Sequence, residues 1–189
     1  MKKSVRIIAL IMTFIMAFCL AACSKIPEKE PVTETTTAET TTKADKSKYT
    51  LYIGNDASGY KEYDSKIKDD ELTPEKLIQA ISDLTGWNMT LADEVTTGKG
   101  GMTVSFSDES FIKVGPPEKQ KSEFFMFDNY SLLTTALDSI KKTLQMNYVT
   151  EDGDPDKLDI YFNIENKSIV VEDVRVPMDK PWNSEMMKK

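Results

Sequence analysis

Histidine is absent from all 189 residues, and the two cysteines, Cys19 and Cys23, both fall near the start of the chain. The first absence removes the commonest general base and the commonest metal ligand. The second leaves everything after Cys23 without a thiol, so disulfides, thiolate nucleophiles and cysteine-based metal sites have no place there. Positive charge is also in deficit, with 24 lysines and arginines against 31 acids. That balance argues against nucleic acid, and against anionic surfaces held by charge alone. There is no internal repeat and no Gly-x-Ser-x-Gly nucleophile element. The most apolar stretch, Ile7 to Leu20, has 14 residues. At 1.5 Å per residue it covers about 21 Å of a roughly 30 Å hydrocarbon core, too little for a spanning helix.

What surrounds that stretch is ordered. Lys2, Lys3 and Arg6 precede it, and Leu20-Ala21-Ala22-Cys23 closes it with the small residues that a cleavage site requires. The arrangement resembles the lipobox of bacterial lipoproteins. The resemblance implies that residues 1–22 are a signal peptide, that Cys23 is lipidated (palmitate among its chains), and that the protein sits on the extracytoplasmic face of the cell membrane. One acyl chain binds a bilayer reversibly, whereas two or three hold it stably. Loss of Lys2, Lys3 and Arg6 leaves 21 basic residues against 31 acidic ones, a net charge of −10.

Residues 23–48 read as the lipidated cysteine and a flexible tether. Seven of the ten residues from Thr33 to Thr42 are threonine, and no apolar period is present. Lys25, Lys29, Lys43, Lys46 and Lys48 offset Glu28, Glu30, Glu34, Glu39 and Asp45. The tether is therefore neutral, and the negative charge belongs to the domain beyond it. A flexible chain of about 25 residues spans roughly 25 to 30 Å on average, with a contour near 85 Å.

Residues 49–189 are long enough for one domain with its own core. Tyr49 to Ile53 alternates as a first strand, and residues 57 to 71 read as polar loop. Thr73-Pro74-Glu75 starts a helix whose face is Leu77, Ile78, Ile81 and Leu84, ended by Gly86. Met89, Leu91 and Val95 predict an irregular strand, joined through the turn Gly98 to Gly101 to a regular one at Met102 to Phe106. Asp108 to Glu123 is an irregular excursion closed by Glu123 to Phe127. A second helix is predicted from Asn129 to Met146, with Leu133, Ala136, Leu137, Ile140 and Leu144 as its stripe. Two strands follow, Leu158 to Ile164 and Ser168 to Val176, joined at Glu165-Asn166-Lys167. The order β-α-β-β-α-β-β predicts an α+β fold: one domain, a mixed sheet, and two helices packed on one face.

Several of these segments look like a GerMN domain, the sporulation and germination module of lipoproteins from spore-forming bacteria. They are the first strand, the Thr73-Pro74-Glu75-led helix, Val104 to Asp108, Ile140 to Leu144 and the last hairpin from Asp159. The likeness covers about residues 50 to 175. Thr143 matches a threonine common in the family's second helix, Ser107 a serine common after its central strand, and Asn166 stands where the family usually has glycine. The resemblance implies a binding or scaffolding role, with no catalytic residues and no cofactor.

Chemistry-bearing clusters are few. Asp152, Asp154 and Asp156 have the first three spacings of a calcium loop, but Lys157 and Asn163 occupy its sixth and twelfth positions, so a solvated acidic turn is expected and no metal site. Asp108 and Glu109 have no partner acid fixed at the separation glycoside hydrolysis needs. Gly98 to Gly101 lacks the spacing of a phosphate loop. The expected function is a lipid-anchored, non-catalytic interaction module with a protein partner or a second copy of itself. The alternative is a lipoprotein that binds a small ligand or cell-wall fragment, with Tyr52, Trp87, Tyr130 and Trp182 lining a groove. The candidate partner-binding residues are Phe124, Phe125, Met126 and Phe127. As a strand they would turn Phe124 and Met126 one way and Phe125 and Phe127 the other. Burial of both pairs beneath residues 108 to 122 is the expectation, and an outward-facing pair that docks a partner is its rival.

Overall fold

The computed structural model describes residues 48–55, 59–98, 100–149 and 152–187. The expected signal peptide, Cys23 and the expected tether up to residue 47 lie outside them. Every described residue belongs to one compact unit. Its elements are β1 (Thr50–Asn55), β2 (Gly59–Asp64), α1 (Pro74–Thr85), β3 (Thr96–Gly98), β4 (Gly101–Phe106), α2 (Phe111–Val114), α3 (Asn129–Tyr148), β5 (Asp159–Ile164), β6 (Ile169–Val171) and β7 (Val174–Val176). This is an α+β domain.

The strands form three ladders. β1 pairs antiparallel with β2, β4 lies between antiparallel β3 and parallel β5, and β6 pairs antiparallel with β7. The mixed sheet is thus the three-stranded one. β4 and β5 are joined by a crossover that carries α2 and α3, as a parallel pair requires. β4 is buried on both faces, which explains the buried Ser105 between Val104 and Phe106. Its hydroxyl donates to Asn163 Oδ1 at 2.7 Å, across the ladder position where the two residues pair. The same oxygen accepts the Asn166 N–H at 3.0 Å, so a buried polar pair holds the turn that follows β5. Glu165 and Asn166 adopt φ of 47° and 58° there, the left-handed pair of a two-residue hairpin turn.

α1 starts and stops where its sequence says. Thr73 accepts the Lys76 N–H, Pro74 takes the first position, and Gly86 ends the helix at φ 82°. Gly86 is needed twice, since a Cβ there would also stand 2.8 Å from the Lys119 carbonyl oxygen. Burial alone would raise the Glu75 carboxyl. Hydrogen bonds from the Thr73 hydroxyl, its own N–H and the Val95 N–H outweigh that and hold it below the usual range. Leu77, Ile78 and Ile81 meet the stripe of α3, whose Leu133, Ala136, Leu137, Ile140 and Leu144 are all buried. Ile140→Ala there would cost about 2–5 kcal/mol.

Three parts differ from the sequence reading. Residues 59–64 are a strand, not loop: β2 is exposed along nearly its whole length and held by its ladder with β1, so it carries no alternating apolar signal. The irregular strand at Met89 to Val95 reduces to a bridge of Leu91 with Phe106, and regular pairing starts at Thr96. Ser168 to Val176 is two short strands, because Glu172 turns the chain at φ 52° and folds β7 back on β6.

The free edge of β1 is closed by a helix. Residues 51, 53 and 55 pair toward β2, which points the N–H groups of residues 50, 52 and 54 the other way. There α3 supplies one side chain to each. Asn147 Oδ1 accepts from Thr50 N at 3.2 Å, Thr143 Oγ1 from Tyr52 N at 2.9 Å and Ser139 Oγ from Gly54 N at 3.0 Å. Asn147 also donates to the Thr50 carbonyl at 2.8 Å. Positions i, i+4 and i+8 of one helix face thus replace a neighbouring strand.

Candidate functional site

Phe124 to Phe127 do not form a strand. Ser122–Phe124 is a 3-10 turn, and residues 125 to 127 continue without regular structure. The side chains nevertheless alternate. Phe124 is 7% exposed and packs edge-on against Trp87 and Tyr63, and Met126 is half-buried. Phe125 and Phe127 face out at 44% and 88% exposure, their rings in edge contact with centroids 4.7 Å apart. Burial of both pairs beneath residues 108 to 122 is therefore overturned. That segment instead spends its apolar residues Phe111 and Ile112 on the core and runs beside the C-terminal end of α1.

The backbone under the exposed pair is pinned on several sides. Gln120 donates to the Met126 carbonyl at 2.8 Å and accepts the Met126 N–H at 3.0 Å, mimicking a strand partner for that one residue. Trp87 Nε1 donates to the Phe124 carbonyl at 3.1 Å and to Gln120 Oε1 at 3.2 Å. Lys121 N donates to the Thr85 carbonyl and Lys121 Nζ to the Asp83 carbonyl. Glu123 takes hydrogen bonds from Lys61 and Tyr63 of β2, and these two donors hold its carboxyl below the usual range. Phe125 and Phe127 are thus displayed from fixed backbone, with charged groups beside them. The exposed parts of these large apolar rings gain little from the fold and are open to meet another surface.

A second feature is an open cleft of about 340 Å³ between the β1–β2 hairpin and α3. Tyr60 comes from β2, while Tyr130, Ser131, Thr134, Thr135 and Asp138 come from successive turns of α3. Asp138 Oδ1 accepts the Trp182 indole N–H at 2.7 Å. Burial pushes its carboxyl up, against the opposing effects of that hydrogen bond and the Lys141 charge. Tyr60 is pushed up to about 12, first by burial and then by the negative charges of Asp138 and Asp156, although the residue stays 42% exposed. The Tyr130 hydroxyl donates to the Met187 carbonyl, and Lys141 Nζ to the Trp182 carbonyl at 3.0 Å. The C-terminal segment is thereby fastened along α3.

The four aromatics that the alternative reading would place around a groove are not brought together there. Trp87 and Trp182 are fully buried core residues, and of the four only Tyr130 lines the cleft. Tyr60 and Asp138 were not singled out by the sequence. A tyrosine in an exposed strand and an acid on a helix flank look like solvated surface until the fold pairs them. Thr143 closes the β1 edge, and Ser107 Oγ accepts the Glu109 N–H in the turn after β4. Asp108 and Glu109 are exposed in that turn. Asp154 caps the short turn Pro155–Lys157 by accepting the Asp156 N–H, and pairs with Lys157. Among the described residues no three acids converge to hold a metal ion. Compared with known proteins, the chain matches no family model, no curated protein and no solved structure.

Proposed function

We propose that this chain is an extracytoplasmic lipoprotein of GerMN type, anchored through Cys23, whose acidic domain docks a protein partner and turns over no substrate. Sporulation or germination is the setting that the resemblance implies. The observation that carries the docking is the Phe125–Phe127 ridge: two rings in contact, one 88% exposed, on backbone held by Gln120, Trp87 and Lys121. Aromatic anchors supply much of the energy of such contacts, and rigid backbone lowers the ordering cost of forming them. The flanking Lys61, Glu123 and Tyr63 give the ridge a polar rim.

The test places a photo-crosslinking amino acid at position 127 in cells that express the full chain. A discrete protein adduct, lost when Phe125 is also changed to Ser, is expected. The double change F125S/F127S should leave stability within about 1 kcal/mol of the parent, because both rings lie outside the buried core. Unfolding of that variant, or the absence of any discrete adduct, would make the cluster structural and end the docking proposal.

A second reading, binding of a small ligand or wall fragment, is favoured by one observation. The cleft beside α3 gathers two tyrosines, hydroxyls and a half-buried carboxylate around about 340 Å³, near the lower limit of small-molecule sites.

A further inference from the structure

Asp138 is a carboxylate with too few partners for its place. It is drawn partly out of water on the flank of α3, and its one hydrogen bond among the described residues, from Trp182 Nε1 at 2.7 Å, comes from a neutral donor. Among the described residues it forms no ion pair. The cation that most eases its ionisation is Lys141, and the Lys141 ammonium is directed to the Trp182 carbonyl. A partly desolvated charge without a counter-ion is costly unless something arrives to neutralise it.

What lines the cleft beside Asp138 narrows the choice. The walls include the aromatic side chains of Tyr60 and Tyr130, and aromatic faces attract cations. Burial first, and then the negative charges of Asp138 and Asp156, push the Tyr60 hydroxyl up, so the local field is negative. The domain as a whole is acidic too, which raises the local concentration of cations and repels phosphates and carboxylates. A neutral sugar would find hydroxyls at Thr134 and Thr135 but would leave the charge of Asp138 uncompensated. We propose that this cleft binds the protonated amine of a small solute, with Asp138 as its counter-ion and Tyr60 and Tyr130 as its aromatic walls. The proposal rests on the small-ligand reading and assigns its chemistry; a free alkylamine and an amino sugar are two sources of the same group.

Calorimetric titration of the full chain in near-neutral buffer tests it, with propylammonium, glucosamine and N-acetylglucosamine as probes. Propylammonium binding alongside glucosamine marks the amine itself as the recognised group, whereas glucosamine alone marks an amino sugar; either supports the proposal. N-acetylglucosamine, which has the ring but not the charge, should bind at least about tenfold more weakly. Asp138→Asn keeps an oxygen for the Trp182 indole and should weaken the amines about tenfold or more. Equal binding of glucosamine and N-acetylglucosamine, unchanged in D138N, would overturn the charge assignment while leaving the cleft a ligand site. Absence of binding by all three probes would overturn the small-ligand reading along with it. If D138N fails to fold, Tyr60→Ala decides, because Tyr60 is 42% exposed and its truncation spares the core. Amine binding undiminished in Y60A, with Y60F as its control, would contradict the proposal.

Discussion

Asp128 accepts the Ser131 N–H at 2.8 Å, and that backbone hydrogen bond, ahead of the opposing effect of burial, holds its carboxyl below the usual range. A depressed carboxyl stabilises the fold above its unfolded value, near 3.9, and that contribution is lost as pH falls through the folded value. Asp128→Ala should therefore cost about 1 kcal/mol at neutral pH. Urea unfolding followed from pH 7 toward acid should show the gap between parent and variant closing below about pH 4. A gap that stays constant would mean that the cap acts by packing instead of charge. Asp128 was readable as a helix start only through its neighbour Asn129, because two adjacent residues were both chemically suited to the cap. Asn166 was readable as a left-handed position, whereas Glu165 beside it was not, since nothing in its side chain favours φ of 47°. The buried Ser105–Asn163 pair imposes that turn from the core outward.

α3 has two readable faces, and only one was read. Leu133, Ala136, Leu137, Ile140 and Leu144 declare a core stripe, and the helix lies where they place it. Ser139, Thr143 and Asn147 look like part of its solvated side, yet they satisfy successive N–H groups of β1. Their spacing of four is the only signal, and it becomes legible once an unpaired strand edge is known to lie alongside. Thr143→Val keeps the shape of the side chain and removes the acceptor, leaving the Tyr52 N–H without its partner. The expected loss is about 1–3 kcal/mol, with Thr143→Ser restoring most of it. Hydrogen exchange at the Tyr52 amide should accelerate in the valine variant only. Unchanged stability and exchange would show that the edge is protected by other means. β2 was missed for the converse reason: it has almost no buried side chain and exists because β1 offers it a ladder. The β6–β7 turn was missed because Glu172 and Asp173 sit in a run of valines and isoleucine that reads as one strand.

In the whole molecule the charges, the core and the exposed groups are sorted. Apolar residues of α1, α3, β4 and β5 share one core, while Phe125, Phe127 and the Asp138 cleft remain outside it. The α+β class and the order of the long elements followed from apolar period and caps. The ridge and the cleft did not, because each depends on which of several chemically similar residues the tertiary fold leaves uncovered. Both features gain their proposed meaning from placement outside the cytoplasm, so the account turns on Cys23. Cys23→Ala, expressed in full and fractionated without detergent, tests that most directly when each fraction is weighed by mass spectrometry. The account predicts either the uncleaved precursor or a protein released from the membrane. A variant of mature mass that still sediments with membranes would contradict it.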